Sequence, residues 1–249
     1  MLNYPIVFSM FSVIVLWLAA QFGANLRKTR PLKDDLREDF GLVETATLTL
    51  LALIIGFSFS MATYRYDQRK NYEEAEANAI GTEYVRAGLL PASDTSTVRA
   101  QLRKYTQLRI AFYRTRDYEE LQQIDADTVK LQSEMWSAVQ TPAVAQPTPL
   151  MALTAAGMND VLNSQGYTQA AWWNRIPTST WGLMMAIAVS CNLLVGYGAR
   201  NAKGIMLTIL PLIVSISFLL IADIDSPRRG LIHVVPQNLV SLLQSLPPQ

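Results

Sequence analysis

The stretch GFSFSMATYRYDQRKNYEEAEANAIG, residues 56–81, starts as apolar sequence and turns charged with neither proline nor glycine between Gly56 and Gly81. Nothing in it stops a helix. Upstream, Gly41 to Thr63 is apolar apart from Glu44 near its start, which is the length a helix needs to cross a bilayer. Downstream, Tyr64 to Leu90 keeps a helical pattern while becoming polar. The sequence therefore predicts one uninterrupted helix that leaves a bilayer and continues into water.

Three further apolar runs lie outward from this segment. Tyr4 to Leu26 carries no charge; it has no basic residue ahead of it and is too long for the apolar core of a signal peptide, so it reads as a retained helix. Pro177 to Ala199 begins with a proline suited to a first helical turn, and Gly204 to Ala222 contains Pro211. These last two form a hairpin around Arg200, Asn201, Ala202 and Lys203. The predicted class is all-α: an integral membrane protein with four transmembrane helices and a helical soluble insert between the second and third.

The expected divisions are residues 1–63 for the first two spans, 64–176 for the insert, 177–222 for the last two spans and 223–249 for a C-terminal tail. Within the insert, helices are predicted over Tyr64–Leu90, Thr97–Arg116, Tyr118–Val139 and Met151–Gln165, with Thr95 or Ser96 as an N-cap. The three prolines between Thr141 and Leu150 predict an extended break.

Composition narrows function. Half of the 249 residues are hydrophobic and 16% are charged, which fits a protein partly in membrane and partly in water. The 21 basic and 20 acidic residues nearly cancel, so nucleic acid is not an expected partner. The single cysteine, Cys191, lies in an apolar run and reads as a small buried hydrophobe. Enzymatic activity is not expected. The single histidine, His233, has no nucleophile motif near it and reads as a half-buried tail residue. GYGARNAKG lacks the glycine spacing of a phosphate loop, and Glu73, Glu74 and Glu76 read as a solvated helix face. No cofactor, catalytic residue or metal site is expected.

Read by face, the second span carries Thr45, Thr49, Ala52, Gly56, Ser60, Thr63 and Asp67 at successive spacings of 4, 3, 4, 4, 3 and 4. That is one helical stripe of small or polar residues. Leu48, Leu50, Leu51, Ile54, Ile55 and Phe59 occupy the rest. Such a stripe serves close helix packing, with hydroxyls bonded to helix carbonyls, or it lines a wet path. The charged continuation of the same helix favours the second use.

At this point the sequence resembles a family. The Gly56-Phe57 pair, then residues 58–64, then Arg65 followed by an aromatic, resembles the second transmembrane helix of the bestrophin channels. YEEAEANAIGTEYVRAGLLP and DIDSPRRGLIHV are more similar still to a bacterial family described as bestrophin-like. The resemblance implies a homopentamer in which the second helix lines an axial pore for small inorganic ions, surrounded by membrane lipid. It places a hydrophobic neck at Thr49, Leu53 and Phe57, with Thr49 replacing an apolar residue. Stripe and neck share Thr49 and otherwise lie on adjoining faces, and the spacing does not choose between them. Glu44 and Asp67 mark the ends of the stripe, with Arg65 and Arg69 near the latter, so all four are candidate pore-mouth charges.

Eukaryotic bestrophins bind calcium through an acidic cluster after the last span. Here Asp223 and Asp225 are followed by Arg228 and Arg229, a poor match for an ion that takes about six to eight oxygen ligands. An aspartate–arginine latch is expected instead. Loop charges slightly favour an extracytoplasmic insert, seven basic residues against six. The resemblance implies that the insert and both termini are cytoplasmic, at a bacterial inner membrane, and outweighs so small a difference. The competing class is a membrane-anchored sensory or partner-binding protein that does not conduct.

Overall fold

The structure is a computed structural model of the chain and describes residues 4–199 and 205–247. The hairpin predicted at Arg200 to Lys203 lies outside the described residues. In order, the helices are α1 (Pro5–Thr29), α2 (Arg37–Arg86), α3 (Ala92–Arg114), α4 (Tyr118–Ala145), α5 (Pro149–Trp173), α6 (Thr178–Gly198), α7 (Met206–Asp225) and α8 (Gln237–Ser245). Short 3-10 turns lie at Asp34–Leu36 and Ala87–Leu89, and no strand occurs among the described residues. Four stretches are long and apolar enough to cross a membrane: Pro5–Thr29, Asp34–Leu89, Pro149–Gly198 and Met206–Asp225.

The predicted continuity is observed: α2 is a single helix of 50 residues with Glu38 and Asp39 in its first turn and Arg86 in its last. Those charges oppose the helix dipole at each end. Several boundaries differ. The break expected between Thr141 and Leu150 shrinks, because α4 continues through Pro142 to Ala145. Pro142 lies in the final turns, where losing one backbone bond costs little and the following residues can still close on its carbonyl, as Gln146 N does at 3.0 Å. Thr148 then caps α5, with Pro149 in its first turn, and α5 runs on to Trp173.

The N-cap expected at Thr95 or Ser96 is absent because α3 starts earlier, at Ala92. Thr95 Oγ1 instead donates to the carbonyls of Ala87 and Leu90, each at 2.9 Å. Asp117 caps α4 through the amides of Glu119 and Glu120.

The chain divides into two compact units, Met1–Tyr66 with Arg175–His233, and Asp67–Asn174 with Val234–Gln249. The first is built on α1, α6 and α7, with the apolar half of α2 against them. Phe8, Trp181 and Phe218 interlock at its centre, the Phe8 and Trp181 rings edge-on at 5.1 Å. Between α1 and α6 a methyl at Gly23 would overlap the Leu193 carbonyl, and one at Gly196 would overlap that of Ala20. Only glycine allows backbones this close. Arg27 Nη1 then donates to the Tyr197 carbonyl at 2.9 Å and to that of Gly198, closing the C-terminus of α6 with a cation.

At the end of α7 the two aspartates also hold folded-back backbone, and Arg175 lies within electrostatic reach of Asp225. Asp223 accepts the Leu231 and Ile232 amides at 2.7 and 2.8 Å, and Asp225 accepts the Ile176 amide through both oxygens, at 3.1 and 3.2 Å. Arg229 lies over the Tyr4 ring, 4.4 Å from its centroid. Folded-back backbone supplies amides that spacing in the sequence does not reveal.

The second unit packs α3, α4 and α5 with the polar half of α2 and with α8. Its aromatic centre is Phe112, Tyr113 and Trp172, with edge-on centroids 5.1 to 5.6 Å apart.

Candidate functional site

The expected functional residues lie along α2. Between Gly41 and Tyr66 only Leu51, Ser58 and Ala62 are buried, on one face, with Leu48, Ile54 and Ile55 partly covered beside them. The rest of this half is open. Thr45, Thr49, Ala52, Gly56 and Ser60 are exposed and Thr63 is half-buried; Leu53 and Phe57 are 52% and 70% exposed.

Stripe and neck therefore share the uncovered side but differ in what they face. Ala52 and Gly56, with Phe59, line a cavity of about 510 Å³ whose other wall is α7, including Leu210, Ile213 and Leu220. Leu53 and Phe57 stand outside that lining. A methyl added at Gly56 would meet nothing within 4 Å, so packing within the chain does not require a glycine there. The stripe hydroxyls bond to their own helix: Thr49 Oγ1 donates to the Thr45 carbonyl at 2.9 Å and Thr63 Oγ1 to that of Phe59 at 3.0 Å.

The four candidate mouth charges separate. Glu44 is half-buried, with Oε2 3.1 Å from where a methyl on Gly198 would sit. Arg65 is half-buried and reaches Met61 Sδ at 3.5 Å, while Asp67 is exposed. Arg69 does not join them, being 1% exposed.

Arg69 begins a buried ladder. Arg69, Glu73, Glu76, Ile80, Glu83 and Ala87 follow at spacings of 4, 3, 4, 3 and 4, and all are buried. The solvated acidic face expected at Glu73, Glu74 and Glu76 is thus corrected: Glu74 alone of the three is exposed. Glu76 pairs with Arg109 Nε of α3, both side chains fully buried, and accepts from Thr168 Oγ1 at 3.2 Å and Tyr113 Oη at 3.4 Å. Glu73 accepts from Leu239 N at 2.9 Å and Asn238 Nδ2 at 2.6 Å, so a carboxylate from α2 caps α8. At the other end of α8, Arg103 Nη1 donates to the Leu246 carbonyl at 2.9 Å.

Electrostatics follow from this burial. Burial opposes the Arg109 charge, but the Glu76 carboxylate and the Tyr105 hydroxyl outweigh it and hold the guanidinium above its ordinary value. Burial, then the negative charge of Glu76, pushes the Tyr105 and Tyr113 hydroxyls well above the usual phenol range. Burial also pushes the Glu83 carboxyl up to about 8, against the lowering effect of Arg86 and with some help from Asp160.

A family profile described as the Bestrophin-like domain matches residues 6–239, nearly the whole chain. The chain belongs to the Bestrophin-like family.

Solved structures agree on the fold. A bacterial bestrophin homolog from Klebsiella pneumoniae superposes with a TM-score of 0.64 at 14% identity, over 97% of this chain and 99% of that one. Two point variants of a Klebsiella pneumoniae bestrophin homolog give 0.65 at 13% identity, over 95% and 96% of the two chains, and 0.64 at 12%, over 95% and 97%. No curated protein sequence matches. The Bestrophin-like match takes in both halves of α2 and ends at Leu239, whose amide Glu73 holds.

Two features of this Bestrophin-like chain escape a reading of the sequence: the ladder, and α8 itself. The ladder repeats at helical spacing in the sequence, but its partners Arg109 and Thr168 lie 33 and 92 residues from Glu76. The helix α8 did leave a signal, since Leu239, Leu242, Leu243 and Leu246 recur on one face after Pro236.

Proposed function

We propose that this Bestrophin-like chain assembles as a homopentamer in the bacterial inner membrane and conducts small inorganic ions. On this reading the apolar half of α2 surrounds a central axis, with Leu53 and Phe57 as a hydrophobic neck, Thr49 as its wetter end, and Glu44, Arg65 and Asp67 near its mouths. The observation that carries it is how little of α2 the chain covers. In the apolar window of that helix 6% of residues are buried, against 39%, 33% and 50% in the other three stretches. Lipid satisfies exposed leucines and phenylalanines, but it has no need of Gly56, Ser60 and Thr49 on the same side. Small residues suit close approach by other helices.

A ring of phenylalanines closes such a path by excluding water, since no polar group there replaces an ion's lost hydration. Phe57→Ala, alone or with Leu53→Ala, is expected to increase ion flux into proteoliposomes. Leu48→Ala, on the packed face, is expected to leave it nearly unchanged. Mass photometry of the same samples should count five subunits. Confirmed pentamers that conduct neither as wild type nor as Phe57→Ala would replace the channel with a membrane-anchored, partner-binding role. Orientation has its own test: Ser93→Cys, in a Cys191→Ala background, should resist an impermeant maleimide in intact cells, as a cytoplasmic insert requires.

A further inference from the structure

The polar half of α2 and its partner α3 bury two guanidiniums, Arg69 and Arg109, and three carboxylates, Glu73, Glu76 and Glu83. Glu76 is matched by Arg109, and Glu73 by the amides of α8. Glu83 differs. It is 0% exposed, and neither of its oxygens accepts a hydrogen bond. Across the seam lies Gly157 of α5, where a methyl would overlap Glu83 Oε2 and come within 2.6 Å of Arg86 Nη1. The glycine thus lets α5 close directly over the carboxyl.

The neighbouring charges do not neutralise it. On α2, Arg86 lies one turn further on and reaches Asp160 of α5, 4.0 Å away, so its charge is divided. Asp160 opposes ionisation of Glu83, Arg86 favours it, and burial outweighs both. On α3 the guanidinium of Arg99 is turned to Tyr84, donating to its carbonyl at 3.2 Å and lying 5.0 Å from its ring centroid. A carboxylate without water or donors is costly, and gaining a proton removes that cost.

We propose that Glu83 is a proton-binding site: its carboxyl holds a proton in the closed seam between α2 and α5 at neutral pH, and releasing that proton to solvent under mildly alkaline conditions opens the seam. The site does not depend on conduction. The folded value, about 8, is raised above the ordinary 4.5, so the proton favours the closed seam fully below the ordinary value. That contribution is lost as pH rises towards the folded value. Over this window the opening equilibrium rises by about tenfold per pH unit, when the opened carboxyl titrates normally.

The full chain in detergent provides the test. Infrared difference spectra between about pH 6.5 and about pH 9.5 should show a protonated-carboxyl C=O band that disappears with rising pH. Its midpoint should lie near 8. The band should be missing in Glu83→Gln and should titrate at higher pH in Arg86→Met, which removes the cation that favours ionisation. Amide exchange over residues 80–90 and 149–164, corrected for intrinsic rate, should rise by about tenfold per pH unit from about pH 6 to about pH 8 in wild type and stay flat in Glu83→Gln. A wild-type protein without a titrating protonated-carboxyl band overturns the proposal even where Glu83→Gln does not fold. So does a band that survives in Glu83→Gln, or seam exchange with the same pH dependence in both proteins. None of these readouts uses ion flux, so a failure of the channel reading leaves them intact.

Discussion

The two halves of α2 differ in what they leave open and what they enclose. Up to Tyr66 the helix exposes Leu53, Phe57 and Phe59 and buries only Leu51, Ser58 and Ala62; from Asp67 onward it buries Arg69, Glu73, Glu76 and Glu83 beside Ala77 and Ile80. Both halves carry one stripe at spacings of 4 and 3, and the period alone does not say whether it faces out, as at Thr49 and Ser60, or in, as at Glu73 and Glu76. What decides is whether a residue's partner lies inside the chain. Buried charges are tolerable only where donors meet them, and Arg109, Thr168, Tyr113 and the α8 amides do so. The open apolar face has no such partners within the chain, and the proposed assembly would cover it with lipid or further copies of itself.

The largest expected effect lies in the ladder. Arg109→Ala leaves the Glu76 carboxylate buried without its cation and should cost the second unit about 3–5 kcal/mol, measured by urea unfolding. Glu76→Leu combined with Arg109→Met should cost less than Arg109→Ala alone. A harmless Arg109→Ala would break the comparison, because the polar half would not then depend on internal pairing.

Next come the glycines of the first unit, which separate internal from external packing. Gly23→Ala drives a methyl into the Leu193 carbonyl and should cost about 1–3 kcal/mol. Gly56→Ala meets nothing within the chain and should stay within about 0.5 kcal/mol of wild type in unfolding while weakening the proposed pentamer. An equal loss of stability from both changes would erase the distinction. Glu73→Ala is expected to cost about 1 kcal/mol through the lost cap, and its effect is the most local. Amide exchange should quicken at residues 237–245 and hardly elsewhere.

Much of this was legible in the sequence, for identifiable reasons. The run from Gly56 to Gly81 without breakers predicted the length of α2, and apolar length alone marked the candidate spans. Pro142 signals a break that the helix does not make, because a proline in the last turns of a helix need not end it. The acidic ladder was misassigned because a polar stripe has the same period whether it faces water or buried donors, and the donors stand far away along the chain. Nor could spacing tell the stripe from the neck. In the structure Ala52 and Gly56 face α7, and Leu53 and Phe57 face away from that groove.

The most direct test of the exposed half is cysteine cross-linking. In a Cys191→Ala background, Phe57→Cys and Leu48→Cys are each oxidised in membranes and resolved on a non-reducing gel. Copies of α2 gathered around an axis with residue 57 at the neck predict disulfide-linked dimers for Phe57→Cys and none for Leu48→Cys, which packs inside its own chain. Monomers from Phe57→Cys, with or without dimers from Leu48→Cys, would contradict it and leave lipid as the cover of that face.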